Sequence, residues 1–404
     1  MSPISIPRDA RVIVLLNGFL RNSYASAACV IANSFFISSV GADQWPQLNF
    51  WVQSLTIAIF ISFIYAHDKR SYEIYALVLL LIIMCSLGLY MWPESTFLVY
   101  GLGTFIITSD LLGNMVNQNI LAGIFSRPVL RELDQSVIPA ELAGRVVGAG
   151  FIEVASRSGQ SEHFHFLLWF LVVLHLFCFV GIIRYWAKNP HLDEECGELS
   201  DPSHVSLTRV VSYAMTSTIV QFSLLLMIWN QCVKFLTQAL YFQAANHLRE
   251  GLKDTSQFLS HVNFLSIAGT YLFQLAIGRK LVNEKSMAYL FRVMPMGFVM
   301  TGVVAMFYSS YWIIVFQYIF FVVINKVINA PMTRQYLFMV PKQLRGKSYI
   351  FITVVTSFFL ILTSGVSAAL EDRLGIYQLM VSLVIVSVLI LVKLARFEEE
   401  QDQF

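Results

Sequence analysis

Long apolar runs separated by short polar stretches recur along the whole chain. Each run of about 18 or more residues is long enough to cross a ~30 Å hydrocarbon core as a helix. Twelve such spans are predicted, near 12–39, 47–66, 73–92, 96–120, 144–161, 164–186, 207–240, 256–277, 286–306, 309–330, 348–369 and 374–396. Between the sixth and seventh lies KNPHLDEECGELSDPSHVS, the one stretch of linker character in the chain interior. It divides the chain into an N-terminal six-helix bundle over 1–187, a cytoplasmic linker over 188–206 and a C-terminal six-helix bundle over 207–404. The predicted fold is therefore an all-α membrane protein of about twelve helices in two pseudo-symmetric bundles.

The halves share short patterns. IPAELAGR begins at Ile138 and VPKQLRGK at Val340, 202 residues later. Both give a β-branched residue, Pro, an acid or its amide, Leu, Gly and a final cation in the same order. They are read as equivalent cytoplasmic turns that lead into the fifth and eleventh spans, with Pro at the helix entry and Arg145 and Lys347 at the inner face. SFIYAHDKRS closes the second span and LFQLAIGRKL the eighth, which repeats the relation.

Composition agrees with the pattern. Hydrophobic residues make up 57% of the 404 and charged residues 13%, where soluble domains carry about 25% charge. A soluble domain has no way to hide that much apolar surface. The formal net charge of +2 gives no support for nucleic-acid binding. With the N-terminus inside, nineteen of the 27 Lys and Arg fall on the cytoplasmic side, four outside and four within spans. That bias places both termini in the cytoplasm. The five cysteines show no CxxC spacing, and no cleavable signal peptide is evident in the opening residues.

Twelve spans in two parallel halves, with P-x-x-L-x-G-[RK] before spans five and eleven, resemble the major facilitator superfamily. Its signature after the second helix, G-x-x-x-D-[RK]-x-G-[RK]-[RK], is reduced here to Asp68, Lys69 and Arg70 without glycine; the second half keeps Gly278, Arg279 and Lys280. A narrower similarity links ANSFFISSVGADQWPQLNFWVQSLTIAIFISFIYAHDKR and YFQAANHLREGLKDTSQFLSHVNFL to bacterial nucleotide transporters of the ATP/ADP translocase type. The charged residues that such carriers use on substrate have no one-to-one counterparts. The resemblance implies a secondary transporter, a bacterial inner (cytoplasmic) membrane location, and a nucleotide or related metabolite as solute.

Charged and amide side chains inside spans are the candidates for function, because a charge at mid-membrane costs at least ~2.5–3.5 kcal/mol on insertion scales. Arg21 lies about 15 Å along its helix from Arg11, beside Asn17, Asn22, Ser23 and Tyr24. Its structural alternative is a lock onto a carboxylate in the bundle interior. Asp110, Asn114, Asn117 and Gln118 share one helical face, which reads as a cavity lining or as interhelical hydrogen bonding. Glu153 follows the Gly144-xxx-Gly148 motif and is either a proton site or the partner of Arg157 one turn on. In the second half Asn230, Lys234 and Gln238 run along one face, and Lys326 lies on the tenth span, five residues before Pro331.

The expected solute contacts are thus Arg21, Tyr24, Asp110, Asn114, Asn117, Gln118, Asn230, Lys234 and Lys326, with Asp110 or Glu153 taking up a coupling proton. Two deep cations favour an anionic or zwitterionic solute. No cofactor or metal is expected, and the expected partners are a small-molecule solute, the lipid bilayer and protons, with the chain a monomer. No GxxxxGK[ST], HExxH or GxSxG occurs, which argues against a primary pump and against an enzyme. Alternatives are an exporter or importer of a siderophore, drug or amino acid, and a receptor that transports nothing.

Overall fold

The computed structural model describes residues 8–65, 127–158, 207–248, 252–278, 287–307, 310–339, 345–369, 379 and 381–393, and parts of 95–108 and 166–180. All regular structure among the described residues is helical. The helices are α1 (Arg8–Ser39), α2 (Trp45–Tyr65), α3 (Arg127–Ser158), α4 (Leu207–Thr216), α5 (Thr218–Leu248), α6 (Leu252–Phe273), α7 (Met287–Phe307), α8 (Tyr311–Met339) and α9 (Arg345–Ala369).

Several boundaries differ from expectation for local reasons. The predicted fifth span over 144–161 is the second half of α3, which is already helical from Arg127. The octet at Ile138 is therefore helix interior, with Pro139 inside α3, and its reading as a turn is corrected. Proline removes one hydrogen bond but leaves the helix able to continue where neighbours hold it. The second octet reaches the described residues only at Arg345, where α9 begins. The predicted seventh span divides at Ser217, although Ser217 N–H still donates to Tyr213 O at 3.1 Å and Gln221 N–H to Ser217 O at 3.0 Å. After Phe273 the chain continues as five π-helical residues, Gln274–Gly278. Between α1 and α2 the chain turns at Gly41, whose φ of 110° suits a residue without Cβ.

The contacts gather into two compact units, one of residues 1–39, 61–205 and 252–267, the other of 40–60, 206–251 and 268–404. Each takes one segment from the opposite half of the sequence, and the two segments occupy equivalent places, the second helix region of each half. In the first unit α1 lies along α3, and its residues from Asn17 onward are almost all buried.

In the second unit α5 is the central helix, packed on α8 and α9, while α7 packs on α8. Its core is aromatic: Trp229 meets Phe298 edge-on at 5.8 Å and Trp45 meets Phe242 at 4.6 Å. Polar groups tie α2 to α9, as Asn49 Nδ2 donates to Ser364 Oγ at 2.6 Å and Gln53 Nε2 to Asn49 Oδ1 at 3.2 Å. The outside of this unit is apolar, with Met296, Met300 and Phe307 of α7, Trp312 and Phe316 of α8, and Leu362 and Val366 of α9 all exposed. So much exposed apolar area fits a hydrocarbon solvent rather than water. Among the described residues Phe351–Ala369 is by itself long and apolar enough to cross a membrane.

Candidate functional site

α1 and α3 run parallel, and their contacts advance together. Arg11 Nη2 donates to Ser136 Oγ at 2.7 Å. About two turns on along α1, a Cβ on Gly18 would stand 3.1 Å from the Glu141 side chain. Farther along, Gly144 faces the Phe19 carbonyl and Gly148 the Ser23 carbonyl so closely that any Cβ would overlap the backbone oxygen. The GxxxG motif thus brings two backbones into contact, as small residues do between membrane helices.

The polar stripe on α1 lies in this seam. Arg21, 3% exposed, pairs with Glu141 at 3.6 Å. Asn22 Oδ1 accepts from Arg145 Nε at 2.7 Å, and Asn22 Nδ2 donates to Gly18 O at 2.9 Å. Tyr24 is buried too. The deep arginine is therefore engaged with a carboxylate of the neighbouring helix.

A second polar centre lies farther along α3. Glu153 Oε1 receives Arg157 Nε at 2.9 Å and Nη2 at 2.7 Å, and it lies 3.0 Å from His261 Nδ1 on α6. The carboxylate is 8% exposed, whereas Arg157 and His261 are 59% and 48% exposed. One turn before Glu153, Gly150 leaves Phe264 of α6 at van der Waals distance, 3.4 Å from where a Cβ would stand.

The third centre is on α5. At 100° per residue Asn230, Gln231, Lys234, Gln238 and Tyr241 fall within an arc of about 100°. Lys234 is exposed and Gln231 and Gln238 are half-buried, on a helix whose other faces are largely buried. Asn230 and Tyr241 form one edge of this arc and are covered by α8: Asn230 Nδ2 donates to Asn325 Oδ1 at 3.1 Å, and Tyr241 stacks on Tyr318 at 4.1 Å. Lys234 lies near the middle of Thr218–Leu248, over 20 Å by rough estimate from either end.

Comparison with solved structures fits this arrangement. The chain aligns over 95% of its length, and 96% of the other, with the xylose transporter XylE from E. coli in a partially occluded inward-open conformation, at TM-score 0.65 and 11% identity. The nucleoside transporter NupG aligns over 96% of this chain and 98% of its own, at 0.58 and 14%. The fold is that of the major facilitator transporters. An auto-inhibited POT family peptide transporter aligns over 97% of both chains at TM-score 0.64 and 10% identity. No protein-family model and no curated protein sequence matches the chain. The shared fold is all-α, in agreement with the helices of the described residues.

Of the residues expected to meet solute, Lys234 and Asn230 are brought together on α5, and Arg21 and Tyr24 are buried on α1. Lys326 lies within α8, which runs on past Pro331 to Met339, so it is farther from the helix end than the proline implied. Asp110, Asn114, Asn117 and Gln118 lie outside the described residues. Sequence reasoning missed Glu141 and His261. Glu141 stands inside the first octet, where the expected turn hid it; a lone histidine in an apolar helix gives no periodic signal.

Proposed function

We propose that this chain is a secondary-active transporter that moves a small anionic or zwitterionic solute by alternating access. One observation carries the reading: Lys234 is accessible at the middle of a helix that is otherwise mostly buried. A lysine held against lipid at that depth is costly, so the accessible arc of α5 is best explained as the wall of a water-filled cavity. There Lys234 supplies the charge, and Gln231 and Gln238 supply amides that accept and donate. Asn230, fully buried, keeps its Oδ1 without a hydrogen-bond partner beside this arc.

The same arc supports an aromatic anion as solute. Tyr241 lies seven residues, or about 10 Å, along α5 from Lys234, and the Tyr318 ring stacked on it is half-buried. A nucleotide has an anionic end and a planar ring at about that separation. The similarity to the structure of the nucleoside transporter NupG points the same way. In this reading Arg21 positions α1 on α3 through Glu141 rather than touching solute. The sequence-predicted Asp110, Asn114, Asn117 and Gln118 are further solute contacts in this reading, and either Asp110 or the centre formed by Glu153 and His261 takes up the coupling proton. The halves 1–187 and 207–404 move about the linker, in a bacterial inner membrane with both termini in the cytoplasm.

Thermal stabilisation of purified protein tests the site. ATP, ADP, nucleosides, amino acids and organic acids are screened against the wild type and Lys234→Gln. The expected result is stabilisation of the wild type by an anionic class, with at least about tenfold weaker binding in the variant, as for loss of a charge-assisted hydrogen bond. If Lys234→Gln binds that class equally well, the assignment of Lys234 is wrong. If no nucleotide stabilises the wild type, the nucleotide reading is dropped.

A further inference from the structure

The contact between α3 and α6 joins a buried anion to an accessible imidazole. Glu153 Oε1 accepts from Arg157 one turn along its own helix and lies 3.0 Å from His261 Nδ1, 108 positions later in the chain. Phe264 of α6 fills the space that Gly150 leaves. Arg157 faces the same carboxylate from α3 itself. Beyond Ser23, the titratable residues of α1, which packs against the same helix, are Tyr24 and Cys29. On α6 the other charged residues are Lys253 and Asp254, about two turns before His261.

Imidazole is the side chain whose charge ordinarily changes between about pH 5 and 8. Here the ring is 48% exposed, while the carboxylate beside it is 8% exposed. We propose that His261 is a proton-binding residue and that Glu153 reads its charge, so that the proton sets how firmly α6 docks on α3. Protonated His261 gives Glu153 a charge-assisted hydrogen bond. Neutral His261 gives it a weaker one, from a single tautomer. Docking is therefore strongest at the acid end of the range and loosens as pH rises through the imidazole titration.

This deepens the transport reading and rests on it for its consequence. On the proposed topology His261 lies in the outer half of the eighth span, so protons outside would favour the docked state and their loss would release α6. His261 acts here as a positioning residue, not as a solute contact.

Spin labels on Val154→Cys and Leu265→Cys, both exposed positions on the two helices, report docking without any need for solute. The background replaces the five native cysteines. Dipolar EPR at pH 6 and pH 8 is expected to show the undocked fraction rising about fivefold in the wild type, between the effect of an exposed ion pair and that of a buried charged hydrogen bond. His261→Gln is expected to be pH-independent. His261→Lys, which keeps a charge at both values, is expected to stay docked at both. A wild-type distribution identical at the two pH values overturns the proposal, as does a His261→Gln variant that keeps the shift. If the pH response appears but no solute is moved across a membrane, the transport reading fails and the proton site stands.

Discussion

Alanine at Gly144 and alanine at Gly365 should move stability in opposite directions, although both glycines lie inside helices. Gly365 has nothing within 4 Å of a built Cβ, so the methyl group enters open space. Replacing it removes backbone freedom from the unfolded chain and improves helix propensity, a gain of about 0.4–1 kcal/mol. At Gly144 the same gain is available, but the methyl group meets the Phe19 carbonyl and its Cα. Those atoms are backbone on both sides, so no rotamer change relieves the overlap and α1 must move away from α3. That movement lengthens the Arg145–Asn22 hydrogen bond, now 2.7 Å, and the Arg21–Glu141 pair, now 3.6 Å. Overpacking alone costs about 1–3 kcal/mol, and a weakened buried ion pair adds to it. A net loss of about 1–3 kcal/mol is expected. Thermal inactivation in a fixed detergent, read by the monodisperse fraction after heating, gives both midpoints beside the wild type. An unchanged or raised midpoint for Gly144→Ala would refute the backbone contact and, with it, the explanation of the motif.

Three further outcomes follow from the same contacts. Arg21→Gln leaves Glu141 charged in a buried seam and should lose about 3–5 kcal/mol, and adding Glu141→Gln should restore most of it; a double variant no better than the single one argues that Arg21 serves the solute instead. Ser364→Ala removes the acceptor of Asn49 between α2 and α9 and should cost about 0.6–1.7 kcal/mol, the range for interhelical hydrogen bonds in a membrane, measured as a shift in the same midpoint. Asn230→Leu should weaken binding of the stabilising solute beyond any loss of stability, seen as a reduced ligand-induced shift at matched midpoints, because its free Oδ1 borders the Lys234 arc.

The parts legible in the sequence were those with local or periodic signals. Spans show as apolar runs, and the Gly144–Gly148 spacing announces a close approach whatever helix supplies it. Lys234 announces itself by being charged in the middle of a run. Contacts between distant segments have no such mark. The partner of Arg21 was foreseen as some carboxylate, yet Glu141 became visible only when α3 lay alongside α1. The octet at Ile138 misled because Pro, Gly and a cation make a turn where water solvates the backbone. Packed along α1, the same residues continue a helix that starts at Arg127. Asn230 and Lys234 were placed correctly on one face, but the sequence did not show that α8 covers one edge of it and leaves Lys234 accessible. His261 was silent for the same reason as Glu141: its meaning lies 108 residues away.

Transport itself is tested most directly in sealed proteoliposomes, with the solute that stabilises the purified protein supplied radiolabelled outside and unlabelled inside. The wild type is expected to exchange label inward, and Lys234→Gln, reconstituted at equal amount and equal midpoint, to lose at least about nine-tenths of that exchange, the counterpart of its tenfold weaker binding. A wild type that binds the solute but exchanges none would make the protein a receptor and contradict the account.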